Sequence, residues 1–93
     1  MLSKLKQRNC QKLAKILRQI KAPRQMALVL DDLLTYAETI DFLQRLAIAE
    51  ALLAGEDQRG ISRRLGVSIA RVTRGSKAVK ASKGGFKSIF KHF

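Results

Sequence analysis

Cysteine is almost missing from this chain of 93 residues: Cys10 stands alone, so neither an intrachain disulfide nor a cysteine metal cluster can form. That usage fits a reducing compartment, and Cys10 reads as a small apolar residue of a helix. Proline occurs once, tryptophan not at all, and aromatics make up 5% of the sequence. With few helix breakers and few of the aromatics that favour strands, the expected fold class is all-α. No apolar run approaches the roughly 18 residues that a bilayer-crossing helix needs. Leu2, Leu5 and Leu13 are separated by Lys, Arg, Gln and Asn and do not build a signal-peptide core, so the expected location is the cytoplasm. Histidine is present only as His92, and Asp31 and Asp32 have no His or third carboxylate at a supporting interval. No metal is therefore expected, and the two aspartates read as solvated residues near a helix end. No nucleophile with its base and no phosphate-cradling glycine loop emerges, which leaves an enzyme the poorest reading and requires no cofactor.

Acidic charge is scarce too, and it is confined. Lys and Arg number 19 against seven Asp and Glu, a formal net charge of +12. Residues 1–24 hold eight cations and no acid, residues 25–57 hold all seven acids and only Arg45 as a cation, and residues 58–93 hold ten cations and no acid. Such an imbalance calls for a polyanionic partner, or less often an anionic membrane surface. Its distribution turns both basic ends toward that partner and the acidic middle away.

The stretch Gln58 to Lys80, QRGISRRLGVSIARVTRGSKAVK, is the most informative part of what is there. Ile61 and Leu65 form an apolar i,i+4 edge, Gly66 interrupts it, and Ser68 stands where an N-cap would launch a second helix. Two short helices joined by a tight turn make a helix-turn-helix, whose second helix enters the DNA major groove while the first crosses the backbone. Ile61, Leu65, Val67, Val72 and Val79 can converge on one side, leaving Arg71, Arg74 and Lys77 pointing outward. A solvated hairpin with a merely wet basic face is the bland alternative. Under the DNA reading, Gln58 and Arg59 contact phosphates or base edges, Ser68 marks the helix N-terminus set against the backbone, and Ile69, Ala70 and Thr73 make apolar or weak polar base contacts. Arg71, Arg74 and Lys77 supply the cations, divided between bases and phosphates.

The rest of the chain supports that pair. Leu2, Leu5, Leu13, Ile16, Leu17 and Ile20 recur at helical intervals among Lys and Arg, predicting a basic amphipathic helix over residues 2–21 whose best neighbour is a partner subunit. Pro23 opens a second helix with an apolar face from Met26 to Leu34. Thr35 and Glu38 form a capping box for a third helix from Tyr36 to Leu53, closed by Gly55, and Asp57 caps the next. Arg45 lies four residues after Asp41 and can pair with it. After Lys80, residues 81–85 read as a joint, and Phe86, Ile89, Phe90 and Phe93 as a short final helix made basic by Lys87, Lys91 and His92. The expected organisation is a helical DNA-binding and dimerisation domain over 1–80, with the helix-turn-helix at 58–80, and a basic C-terminal tail over 81–93.

With IAEALLAGE before it and IARVTRGS at its most specific point, the stretch from about Leu28 to Lys80 resembles the Trp repressor family and its Trp-repressor-like helix-turn-helix relatives. Arg45, the run Ile48 to Leu53, Gly55-Glu56, Gln58-Arg59, Leu65-Gly66 and Thr73-Arg74-Gly75-Ser76 fall in the family's order, with one residue fewer between Gly55 and Gln58. The resemblance implies an intertwined all-helical homodimer that binds a pseudo-palindromic operator on double-stranded DNA and regulates transcription, most simply as a repressor. It also implies a corepressor site, for L-tryptophan or another small molecule, between the long helix and the recognition helix. Thr35, Arg45, Arg74 and Gly75 stand at matching positions. Arg71 replaces a pocket threonine, Ala78 replaces a pocket serine, and Asp32 stands where an apolar wall is expected, all of which disfavour the same ligand in the same pose. Two rivals account for the charge alone: a protein that compacts nucleic acid without sequence preference, and a membrane-associated basic adaptor anchored by its amphipathic ends.

Overall fold

A computed structural model describes residues 2–90, Leu2 by its backbone alone, as the α-helices α1 (Leu2–Arg18), α2 (Pro23–Leu33), α3 (Tyr36–Leu53), α4 (Gln58–Leu65), α5 (Ile69–Ala81) and α6 (Gly85–Ile89). The class is all-α, with no strand among the described residues. The expected side-chain contributions of Leu2, Lys91, His92 and Phe93 lie outside them. Residues up to Thr39 form one compact unit and those from Ile40 onward a second, the boundary falling inside α3.

In the first unit α1 ends at Arg18, short of the expected Lys21, and the chain leaves it through two i to i−3 bonds, from Gln19 N–H to the Ile16 carbonyl (3.2 Å) and from Ile20 N–H to that of Leu17 (3.1 Å). Downstream, Pro23 forbids helical backbone at its predecessor, and Ala22 is extended at φ −85°, ψ 129°. Pro23 itself takes the first helical position, where a missing N–H costs nothing. Among the described residues of this unit none is buried. Leu5, Leu13, Ile16, Leu28 and Leu33 all stay exposed.

The start of α3 is the capping box read from the sequence. The Thr35 hydroxyl accepts from Glu38 N–H (3.2 Å), and Glu38 Oε1 accepts from Thr35 N–H (2.9 Å). That backbone donor, followed by the Thr35 side chain, holds the Glu38 carboxyl below its ordinary pKa.

In the second unit α3 ends on Gly55, with Glu56 N–H on the Ala51 carbonyl and Gly55 N–H on that of Leu52, both at 3.1 Å. Asp57 then caps α4, its Oδ1 accepting from Gly60 N–H at 2.7 Å. The turn between α4 and α5 is tied by Ser62: its carbonyl accepts from the N–H groups of Gly66 and Val67, and its hydroxyl donates to the Val67 carbonyl at 2.6 Å. Gly66 sits at φ 66°, a left-handed conformation that a side chain would strain. Ser68 caps α5 by accepting from Arg71 N–H at 3.1 Å. Replacing Asp57 or Ser68 by alanine should each lower stability by about 1 kcal/mol, read from the urea midpoint at fixed protein concentration. No change in either variant would mean that solvent satisfies these helix ends equally well.

The core of this unit joins α3 to the helix pair. Ile48 and Ala51 of α3 meet Ile61 of α4 and Val72 of α5, all buried, with Leu52, Leu65 and Val67 packed around them. Four of the five residues expected to converge do so. Val79 instead is half-buried and faces a second cavity with Leu53 and Phe86.

Candidate nucleic-acid interface

The two helices of the motif present a mixed polar and apolar surface. Arg59, Ser68, Ile69, Ala70, Thr73, Arg74 and Lys77 are exposed, whereas Gln58 and Arg71 are half-buried. Ile69, at the first position of this capped helix, is left 48% exposed and stands outside the buried cluster. With Ala70, Thr73 and Lys77 it forms the part of α5 turned from the core. Gln58 ties the helices together, its Oε1 accepting from the Thr73 hydroxyl at 3.0 Å, a proton that the Ile69 carbonyl shares at the same distance. Arg64 makes a bidentate pair with Glu56 through Nε (2.9 Å) and NH2 (2.8 Å), which raises its pKa further and fixes the entry to α4.

Arg71 differs from its expected outward direction. Its NH1 reaches α3 and donates to Asp41 Oδ1 at 2.8 Å, while Arg45 Nε donates to Asp41 Oδ2 at 2.9 Å. The pairing of Arg45 with Asp41 was readable from their i,i+4 spacing. The one with Arg71 was not, because it crosses from α3 to α5.

These groups line a cavity of about 320 Å³ whose walls are Asp41, Arg45, Ile48, Ala49, Arg71, Arg74, Gly75, Ala78 and Phe86. Three of the four residues expected at an effector site, Arg45, Arg74 and Gly75, are thus brought together. Thr35 belongs to the unit that ends at Thr39 and uses its hydroxyl in the cap of α3. Phe86 and Asp41 are wall residues that the sequence did not mark. Phe86 showed only as the first apolar position of the tail helix, and Asp41 only as a partner for Arg45. Gly75 lets α5 approach α3 closely, since a Cβ built on it would lie 2.5 Å from Ile48 Cγ2. Among the described residues no group of three or more His, Cys, Asp or Glu could hold a metal ion. No described helix is long and apolar enough to cross a membrane.

A short helix, a turn closed by a left-handed glycine and a serine-capped second helix resting on a long third one define the helix-turn-helix class. Within that class, the family model described as Trp repressor protein matches residues 8–93, and the chain belongs to that family. A Trp operon repressor homolog of Chlamydia caviae is 45% identical over 60 residues, 63% of this chain and 59% of its own. One from Chlamydia trachomatis serovar L2 is 49% identical over 55 residues, 58% of each chain. One from Xylella fastidiosa is 38% identical over 65 residues, 69% of this chain and 71% of its own. The chain spans somewhat under 60% of the length of the chlamydial relatives. No solved structure gives a significant match.

Proposed function

We propose that this chain is a sequence-specific, double-stranded DNA-binding transcriptional regulator that acts as a homodimeric repressor. The observation that carries the reading is the outward edge of α5: Ile69, Ala70, Thr73 and Lys77 stand exposed on a helix whose opposite side, at Val72 and Ser76, is buried. An exposed apolar and hydroxyl surface suits thymine methyls and base edges. The capped N-terminus beside Ser68, with Arg59 and Lys77, suits phosphates. In this reading residues 1–80 carry DNA binding and dimerisation, and residues 81–93 are a basic tail.

The homodimer is supported by the first unit, whose described residues bury nothing by themselves and leave five large apolar side chains of α1 and α2 in solvent. Helices in that condition gain stability only by covering their apolar faces. A two-fold dimer would set its recognition helices about 34 Å apart, so that the preferred site is a palindrome with half-sites one helical turn apart.

Selection of bound sequences from a random duplex library tests the reading, and repeating it with L-tryptophan tells whether that molecule acts as a corepressor. Enrichment of a palindrome is the expected result. Enrichment of nothing, with steep salt dependence alone, would favour nucleic-acid compaction. Within the DNA reading, Lys77→Ala should weaken binding to selected and scrambled duplexes alike and lower the slope of log affinity against log salt by about 1. A loss confined to the selected duplex would instead make Lys77 a base reader.

A further inference from the structure

The cavity holds three arginines and one acid, and that acid is fully engaged. Asp41 gives one carboxylate oxygen to Arg45, one turn further along α3, and the other to Arg71 on α5. Among the described residues Arg74, the third arginine of the wall, has no acidic partner. The carboxylate is thus a bridge between a cation of the scaffold helix and a cation of the helix assigned to DNA.

Its position gives the bridge leverage. Arg71 is the third residue of α5, beside Ile69 and Ala70 and one turn before Gly75, where α5 rests on Ile48. Toward α3, the helix rests on buried Val72 and on the close approach at Gly75, both C-terminal to Arg71, and its first residues are free of the α3 core. A further hold at Arg71 fixes the direction in which Ile69, Ala70 and Thr73 point. Removing the acid would release Arg71 from α3 and leave three guanidinium groups around one cavity without a countercharge, a repulsion that solvent weakens at the exposed Arg45.

Resting on the DNA reading above, we propose that Asp41 is a built-in carboxylate that clasps Arg71 and presets α5 for DNA, so that no small-molecule anion is needed to fix the reading helix. Asp41 and Arg71 are then positioning residues. Arg71 orients the helix from behind and does not read a base. A carboxylate from solution that entered the cavity would compete with Asp41 for Arg45 and Arg71, or settle on Arg74.

The test is chemical rescue. Asp41→Ala, Asp41→Asn, Arg71→Gln and the Asn/Gln double variant are compared with the wild-type chain in acetate and in chloride at equal ionic strength. Amide hydrogen exchange across α5 is read without DNA, and the preference for the selected over a scrambled duplex is read with it. In chloride, Asp41→Ala should exchange faster in the first two turns of α5 and lose about fivefold in preference, the size expected of a partly exposed charge pair. Acetate should restore both properties in Asp41→Ala, where the removed side chain leaves room for it, and should leave the wild type unchanged. Asp41→Asn, which also removes the countercharge of Arg45, should loosen α5 at least as much as Arg71→Gln, and the double variant no more than Asp41→Asn, because both changes break the same hold on α5.

Wild-type exchange in Asp41→Asn would overturn the proposal even if Asp41→Ala failed to fold. So would additive loosening in the double variant, absence of rescue in a folded Asp41→Ala, or an equal effect of acetate on the wild type. A wild-type chain that shows no preference between duplexes would instead sink the site-specific reading, while the DNA-free exchange would still decide the clasp.

Discussion

Gly75→Ala should destabilise the chain by about 1–3 kcal/mol and should weaken DNA binding by more than the lost folded fraction explains. Two effects oppose each other at this position. Alanine in place of glycine inside a helix stabilises it by about 1 kcal/mol through backbone entropy. Against that, the new Cβ would lie 2.5 Å from Ile48 Cγ2, a separation at which something must move. Ile48 cannot turn aside cheaply, because it is 1% exposed, β-branched and packed with Ala51, Ile61 and Val72. The easier relief is for α5 to shift outward, which opens the contact at Gly75 and moves Ile69, Ala70 and Thr73 together. Overpacking therefore outweighs propensity in stability, and misplacement adds to the loss in binding. Urea titration beside gel-shift titration at matched folded fraction separates the two. A variant as stable as the wild type and equal to it in DNA preference would show that Ile48 yields and that this contact does not set the helix position.

What the sequence made legible was local chemistry. The Thr35 and Glu38 box, the Asp57 and Ser68 caps, the left-handed Gly66 and the pairing of Arg45 with Asp41 all act over three to five residues, and the spacing alone fixes who meets whom. Helix ends were less exact where a competing constraint acted, as at Arg18, four residues before the backbone must be extended to enter Pro23. Contacts between helices were legible only in part. Periodicity told that Ile61, Leu65, Val67 and Val72 share an apolar side, and it left open that Ile48 and Ala51 supply the opposite wall. The same limit explains Arg71. Its place on the polar side of α5 is compatible with DNA and equally with α3, and only the fold brings it within 2.8 Å of Asp41, thirty residues earlier in the chain. The family resemblance went further than periodicity at the cavity, where it marked Arg45, Arg74 and Gly75 and the substituted positions Arg71 and Ala78. It did not mark Asp41, which lies within the resembling stretch but not among the residues that carry it, or Phe86, which lies beyond it.

Ile61→Ala should be the costliest single truncation in the second unit, at about 2–5 kcal/mol. Ile61 is fully buried, and the cluster it completes contains only three other buried residues, two of them on α3 and one on α5. It is therefore the side chain through which α4 is anchored to both neighbours. Deleting it removes apolar burial and leaves a void that two capped, stiff helices cannot collapse to fill. Leu65→Ala, at a partly buried position of the same helix, should cost less because water already reaches it. The total stability of a small domain is on the order of 5–15 kcal/mol, so the Ile61 variant loses a large share of it and must be studied at one protein concentration, since dimerisation would add to the apparent value. Its effect on DNA should differ in kind from that of Gly75→Ala. The face of α5 proposed to read DNA is untouched, so the molecules that remain folded should keep wild-type preference among duplexes while the active fraction falls. Active-fraction titration followed by competition with scrambled DNA reads both quantities. A loss below about 1 kcal/mol would mean that α4 is held mainly by its polar ties, the bidentate Arg64 and Glu56 pair and the hydrogen bond between Gln58 and Thr73, and not by the core.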